Sequence, residues 1–418
     1  MRLLKFLLVF LGVAVLVVGS IFWINRNTFL TVFQNRSAIM EGSEWVEKTY
    51  SLGGLIEFMA EQPRHAAVVS VPVTSDYKWN DAGRVETEIT ADSENNIIRY
   101  RSDRMHPAGT LANLMLFITY ADLVASGALD PNSPVDTDKL TAFYIPGLDN
   151  RHERTFRRWV RDREMPPTAD DLIRYLLRHN DPAAADYLFF FLGKEQVVDR
   201  TTQLGAGLIE PPVPQFGLRM AALQHFDAQT PGEHLSHLAG LDRAAFLDEA
   251  ADLAHLQWKQ PREVPEAGIP SFQDQRMMHG RYPRIQPDRF ASLLAAIWQD
   301  SLINESTSAL LRDLLRRSPG DRLLEPHISD YAAQFDERMS YISGWSVAGK
   351  TISEPFRVQI VLIVDIPAGL WFHMNSNFMV QDYHNRMFYD PAIQGRTFEL
   401  LIQNETASRA GVSFIQNR

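Results

Sequence analysis

The chain has 418 residues, a formal net charge of −10 and no cysteine. That length allows one large domain or two smaller ones with a proper core. The acidic balance argues against a general nucleic-acid role, because polyanion binding needs concentrated positive charge. The missing thiols exclude disulfides, thiol catalysis and cysteine-ligated metals, and leave the redox compartment open.

The chain opens with MRLLKFLLVFLGVAVLVVGSIFWINR, uncharged from Phe6 to Ile24. Nineteen residues at helical rise span roughly 28 Å, about one hydrocarbon core. Arg2 and Lys5 precede the run, which favours a cytoplasmic N-terminus and an exported body. A cleaved signal is the competing reading. The run is long for one, however, and VGS is followed by Ile21-Phe22-Trp23 rather than a polar mature start. No polar face appears at helical spacing, which disfavours a buried helix of a soluble domain. Residues 1–25 are therefore expected to be an inner-membrane anchor, 26–50 a stalk and lead-in helix, and 51–418 an extracytoplasmic domain.

Within that domain, SLGGLIEFMAEQP predicts a helix stopped by Pro63, and HAAVVSVPV (65–73) a strand. DYKWNDAGRVETEI carries turn chemistry, and NNIIRYRSD reads as a second strand. The middle of the chain is helical. GTLANLMLFITYADLVASGAL keeps an apolar helical face and stops near Gly127. TADDLIRYLLRHNDPAAADYLFFFLG opens with Thr168 as N-cap and Asp171 three residues on, a capping-box pattern, and Pro182 should begin a new helix. LDRAAFLDEAADLAHL, QPDRFASLLAAIWQDSL and NESTSALLRDLLRRS add amphipathic helices. The end returns to strand, with RMSYISGWSVAGKTI and FRVQIVLIVDI joined by Ser353-Glu354-Pro355 as a hairpin. Strands at both ends with helices between predict one α+β domain, its antiparallel sheet built from N- and C-terminal strands lying together.

GWSVAGKT (344–351) matches the phosphate-loop pattern G-x-x-x-x-G-K-[ST] letter for letter. A phosphate loop must open a helix, so that its amides cradle the anion. Here Ile-Ser-Glu-Pro and a β-branched run follow, and Asp365 comes only 14 residues after Thr351. That leaves no room for the crossover helix of a parallel pair. The expectation is an antiparallel hairpin and no nucleotide.

The helix–strand–strand start, central helices and final strands, over roughly residues 50–370, resemble the serine β-lactamase and penicillin-binding superfamily, above all the class A β-lactamase catalytic domain. YRSDRMHPAGTLANLMLFITYADLVASGALDPNSPV (100–135) is similar to that family's strand, Pro-led turn and buried helix opened by Ser-x-x-Lys. TADDLIRYLLRHNDPAAADYLFFFLG (168–193) is similar to its Ser-Asp-Asn helix region, and QPDRFASLLAAIWQDSLINESTSALLRDLLRRSPGDRL (286–323) to the helices ahead of its Lys-[Ser/Thr]-Gly strand. The resemblance implies acyl transfer: a Ser attacks a carbonyl, and a Lys, or a Glu acting through water, takes its proton. The positions it points to are changed. The nucleophile falls at Thr110 and the Lys at Asn113, which has no basic lone pair. Ser-Asp-Asn becomes Asn180-Asp181-Pro182. Lys-Thr-Gly falls at Ile342-Ser343-Gly344, while a register using Lys350 leaves too little chain for later strands. IEPPVPQ (209–215) echoes the loop of the deacylating Glu, with Glu210 in place and Pro214 where its Asn partner would stand. Positioned bases contribute about 10²–10⁴-fold each and act as a unit, so these changes together predict a degenerate site.

Other constellations are weaker. Gly344-Trp-Ser346-Val-Ala348 has the lettering of a nucleophile elbow, but strand rather than helix follows, so a hairpin Ser is favoured. His225, His234, His237 and His255 with Asp227 and Glu233 fit no strong metal spacing. RHERTFRRWVRDR (151–163) holds six arginines. Arg151, Arg154, Arg158 and Arg161 share one helical face, and Phe156, Trp159 and Val160 another. The plain reading is a solvated surface helix. The functional one is an anion-binding patch for a lipid headgroup, an envelope polymer phosphate or a peptide carboxylate.

The expectation is a membrane-anchored, extracytoplasmic β-lactamase-like protein, needing no cofactor or metal, whose catalytic motif positions have degenerated. It would bind a peptidoglycan fragment, an anionic envelope polymer or a protein partner. The alternative is an active acyl-transfer enzyme using Thr110 or another hydroxyl. Residues 216–285 read as an insertion relative to the family.

Overall fold

A computed structural model describes residues 40–73, 97–148, 150–226, 240–264, 271–316, 329–349 and 356–403. Among them no helix is long and apolar enough to cross a membrane. The apolar run 6–24, the turn-rich segment after Val73 and the Ser353-Glu354-Pro355 connection lie outside the described residues.

Five antiparallel strands form the main sheet: β1 (Ala66–Val73), β2 (Ile98–Tyr100), β3 (Ser329–Asp336), β4 (Ile342–Gly349) and β5 (Phe356–Ile363), in the order β2-β1-β5-β4-β3. The N-terminal β1 pairs along its whole length with the C-terminal β5, from Ala66 opposite Ile363 to Val73 opposite Phe356. The ends of the domain are thus sewn together, as the patterning predicted. β4 and β5 pair antiparallel, Ile342 opposite Ile363 through Ala348 opposite Arg357.

Alternation sets the two faces of the sheet. Ala67, Val69 and Val71 of β1, Trp345 and Val347 of β4, and Val358, Ile360 and Leu362 of β5 face the larger helical core. Ala66, Val68, Ile342, Val361 and Ile363 face a smaller core. That smaller core is completed by α1 (Leu52–Glu61), before the sheet, and by two helices after it, introduced below with the C-terminal segment. Ser51 caps α1 by accepting from the Gly54 amide.

The larger core is organised around α2 (Leu114–Ala125), whose residues Leu114 to Ala121 are all buried. Then come α3 (Asn150–Arg161), α4 (Ala169–His179), α5 (Pro182–Phe191), α6 (Gln215–Phe226), α7 (Arg243–Lys259), α8 (Phe272–Gly280), α9 (Pro287–Trp298) and α10 (Glu305–Arg316). The Thr168–Asp171 capping box starts α4 as read from the sequence. Pro182 starts α5, with Asp181 as its N-cap accepting from the Ala183 and Ala184 amides. Part of α6, α7 and α8 share a small core of their own around Leu218, Phe246, Met278 and Tyr282. After β5 the chain continues as α11 (Ala368–Ser376) and α12 (Met379–Tyr389), whose Leu370, Val380 and Met387 close the smaller core.

Two features depart from the sequence reading. The edge strand β3 was not anticipated, nor were the helices after β5. Residues 344–349 of the phosphate-loop lettering prove to lie in β4, beside the edge strand, every residue of it buried, and Lys350 and Thr351 lie outside the described residues. Gly344 serves close packing there: a Cβ would come within 2.2 Å of the Phe335 ring on the neighbouring strand.

Candidate active site

The segment Gly109–Asn113 forms a 3-10 turn running directly into α2. Gly109 has φ 55°, and a Cβ on it would meet the Tyr341 ring at 2.8 Å. A left-handed glycine under an aromatic ring thus presents Thr110 toward β3. Asn180 arrives from the other side. It is the C-cap of α4, in the left-handed region at φ 50°, where Asn is among the few side chains tolerated.

Three of the five predicted motif positions, Thr110, Asn113 and Asn180, come together here. Thr110 Oγ1 donates to Asp336 Oδ2 (2.6 Å) and accepts from Asn180 Nδ2 (2.7 Å). Asn180 Oδ1 accepts from Asn113 Nδ2 (3.3 Å) and from Gln334 Nε2 (3.4 Å). Asp336 Oδ2 also takes the Thr110 amide (3.0 Å) and the Tyr341 hydroxyl (2.8 Å). Arg338 Nε lies 3.6 Å from Asp336 Oδ1, and an Arg338 Nη donates to the Asn180 carbonyl at 3.4 Å. Burial would raise the Asp336 pKa; the Arg338 charge and the donors from Thr110 and Tyr341 outweigh it and hold the carboxyl below its ordinary range. Tyr341 is pushed the opposite way, by burial and then by the Asp336 charge.

Chemically this is a hydroxyl with its proton aimed at an ionised carboxylate. The carboxylate is weakly basic, because three donors and a guanidinium stabilise its charge. Thr110 as a residue is only 2% exposed. The cavity beside Gly109, Ala112 and Asn113 measures about 20 Å³, room for a single water.

The remaining predicted positions lie elsewhere or play other parts. Ser343 sits opposite Asp336 across the β3–β4 ladder, buried, its hydroxyl without a hydrogen bond among the described residues. The strand residue that reaches Thr110 is Asp336 of β3, one strand earlier than the sequence reading placed it. Glu210 does not join Thr110. Its carboxylate is held by Arg243, at 3.0 Å through one Nη with a second bond from the other, and by the Arg284 amide at 2.8 Å. It therefore ties the 209–215 loop to α7. Asp336, Gln334, Arg338 and Tyr341 escaped the sequence reading altogether.

Arg154, Arg158 and Arg161 are exposed on α3 as expected; the Arg151 side chain lies outside the described set. Arg154 is already engaged by a neighbour, and Arg161 meets Asp162 at 3.2 Å. The inward face carries Phe156 and the half-buried Trp159 and Val160, together with buried His152, whose Nδ1 donates to Asp181 Oδ2 at 2.7 Å. Asp181 is the residue after Asn180, and Tyr175 also donates to it (2.8 Å). Burial would raise its pKa, but the His152 and Tyr175 bonds lower it. The arginine helix is thereby fastened to the turn that delivers Asn180.

Two further constellations resolve plainly. Ser346 Oγ lies 2.6 Å from His384 Nε2, a Ser–His distance suited to catalysis. Both residues are fully buried between β4 and α12, however, and among the described residues His384 Nδ1 has no partner to orient it. Of the histidine-rich segment, His255 is exposed on α7; the side chains of His225, His234 and His237 lie outside the described set.

A family model described as "Beta-lactamase enzyme family" matches residues 80–367. No curated protein matches the sequence. Among solved structures, the chain is similar to a β-lactamase from Chitinophaga pinensis, at 10% identity over 78% of this chain and 96% of that one, with a TM-score of 0.46. It is also similar to one from Sphaerobacter thermophilus, at 12% identity over 79% and 95%, TM-score 0.46, and to one from Xanthomonas campestris pv. campestris, at 9% identity over 84% and 99%, TM-score 0.45.

Proposed function

The chain belongs to the beta-lactamase enzyme family, and from that premise we propose that it is a catalytically silent member, which binds a cell-envelope ligand or protein partner instead of transferring acyl groups. The observation that carries the reading is the state of Thr110: buried, with its proton committed to Asp336 and its lone pair to Asn180, and with Asn113 where the family has a lysine. To attack, this hydroxyl would have to pass its proton to Asp336, whose charge is stabilised by Arg338, Tyr341 and the Thr110 amide, and a carboxylate so held is a weak base at neutral pH. The uncharged run 6–24 supports an inner-membrane anchor with the body outside the cytoplasm. The exposed arginines of α3, close to the Asn180 turn, suit a peptidoglycan carboxylate or an anionic envelope polymer.

The test is incubation of the full chain, in detergent, with a fluorescent penicillin, followed by titration with peptidoglycan fragments. The reading expects no covalent label, and saturable fragment binding weakened by Arg154→Ala/Arg158→Ala. One observation favours a second reading: the 2.6 Å Thr110–Asp336 contact is that of a nucleophile and a base. Acyl transfer through Thr110 would then yield a label that disappears in Thr110→Ala.

A further inference from the structure

A short helix, Ser43–Lys48, precedes α1 and lies along α11. Gly42 starts it against the first turn of α11, so closely that a Cβ would come within 3.0 Å of the Pro367 ring. Trp45 points inward to the smaller core. Tyr50, just past the helix, packs edge-on against the His373 ring of α11, with ring centroids 4.3 Å apart. The neighbouring Phe372 meets the Phe272 ring of α8 at 5.3 Å. Phe378 follows the last turn of α11.

This part of the surface is unusually apolar. Seven large hydrophobic side chains are exposed among the described residues, and four of them are Met40, Tyr50, Phe372 and Phe378. The other three stand apart: Met165 between α3 and α4, Leu256 on α7, and Ile303 between α9 and α10. Single exposed hydrophobics are ordinary; a cluster of them marks a contact. Phe378 adds an independent sign. Its backbone is left-handed, at φ 53°, where glycine or asparagine would sit with less strain. The ring itself is 59% exposed, so the fold gains little from keeping it there.

The sequence before Met40 points to what covers this face. The uncharged run 6–24 ends 15 residues earlier, at 25–39 intervening. Even fully extended, those residues reach only about 50 Å. The face carrying Met40 is therefore tethered close to whatever surface holds the run. We propose that Met40, Tyr50, Phe372 and Phe378 rest on the lipid bilayer, their rings at headgroup depth, so that the domain lies against the membrane instead of swinging on a stalk. The proposal rests on the reading of 6–24 as an anchor. Aromatic rings suit this depth because an apolar body and a polar edge are satisfied together. Glu44 and Glu47 are exposed on the same short helix beside Lys48, so the contact is apolar and needs no anionic lipid.

The chain has no cysteine, so one introduced thiol gives a single labelling site. The test uses the full chain in phosphatidylcholine vesicles, with a nitroxide at Tyr50→Cys, Phe372→Cys or Phe378→Cys, and at Met165→Cys or Leu256→Cys as controls. Collisions with oxygen, which concentrates in lipid, are compared with collisions with a water-soluble nickel chelate. The three face labels should meet oxygen freely and nickel little, while the controls show the reverse. Phe372→Ser/Phe378→Ser should return the label at position 50 to water. Flotation of the vesicles checks the anchor separately. A chain that does not float sinks the anchor reading, and the proposal with it. A chain that floats with face labels open to nickel overturns this proposal alone. So do face labels shielded from both reagents, which would place protein, from this chain or a second copy, over the face, and so does a label at position 50 that stays in lipid in the double serine variant.

Discussion

Replacing Thr110 with valine removes a hydroxyl and leaves the shape of the side chain almost unchanged. The hydroxyl donates to an ionised Asp336 (2.6 Å) and accepts from Asn180 (2.7 Å), in a site 2% exposed. A hydrogen bond to a charged group is worth about 1.5–3 kcal/mol and a neutral one about 0.5–1.5. No cavity forms, but a buried amide donor and a buried carboxylate each lose a partner in a site closed to bulk water. A loss of about 3 kcal/mol follows, and with a urea slope of about 3 kcal/mol/M for a chain of this size the midpoint should fall by about 1 M. Thr110→Ser keeps both bonds and gives up one buried methyl, about 1 kcal/mol. The assay is urea unfolding at pH 7, followed by tryptophan fluorescence. If valine unfolds within about 0.2 M of the parent, the hydroxyl is not a structural tie and the argument for a silent site fails with it.

The other predictions concern buried charge and close packing. Asp186, fully enclosed, accepts the Gln215 and Phe216 amides, yet burial raises its pKa to about 7. The folded state therefore binds its proton between about pH 4 and pH 7, where the unfolded chain has released it, and stability from this group falls as pH rises through that window. In Asp186→Asn that contribution is gone, so the variant's urea midpoint relative to the parent should rise between pH 5 and pH 8; a flat difference contradicts this. His279, bonded to Ser340 and lowered by burial to about 3, has the reverse sign: its contribution falls as pH drops below the unfolded value of 6.5. His279→Gln should flatten the midpoint's slope between pH 5 and pH 6.5. Gly344→Ala drives a methyl into the Phe335 ring and should cost about 1–3 kcal/mol, partly recovered by Phe335→Leu. His152→Ala strips the buried Asp181 of a hydrogen-bond partner and should cost about 1–3 kcal/mol, with amide exchange rising first along α3.

The parts of the fold readable from the sequence were those where burial and pattern agree. β1 and β5 are β-branched runs, α4 opens with a complete capping box, and Pro182 can only sit in a first turn. The family frame was legible for the same reason, since α2 and α9 are apolar enough to declare themselves. β3 was hidden because its pattern is inverted. Gln334 and Asp336 point toward the large core and Phe335 to the opposite face, so alternation places polar residues where a strand normally hides apolar ones. With β3 unseen, the next clear strand was taken for the one beside Thr110, and Ser343 received a place that belongs to Asp336. Glu210 was misread for a different reason: the loop lettering around it carries no trace of Arg243, 33 residues away, which takes its carboxylate. Thr110, Asn113 and Asn180, which the structure brings together, each stand near a helix end, where local sequence says most about position.

The Asp181 carboxylate serves three masters at once: the opening amides of α5, the Tyr175 phenol of α4 and the His152 ring of α3. Freeing any one of them leaves a buried carboxylate short of a partner, which ties the three helices to one another. The arginines of α3 are consequently carried on a stiff base, and a ligand gripping them spends little of its affinity on ordering the backbone beneath.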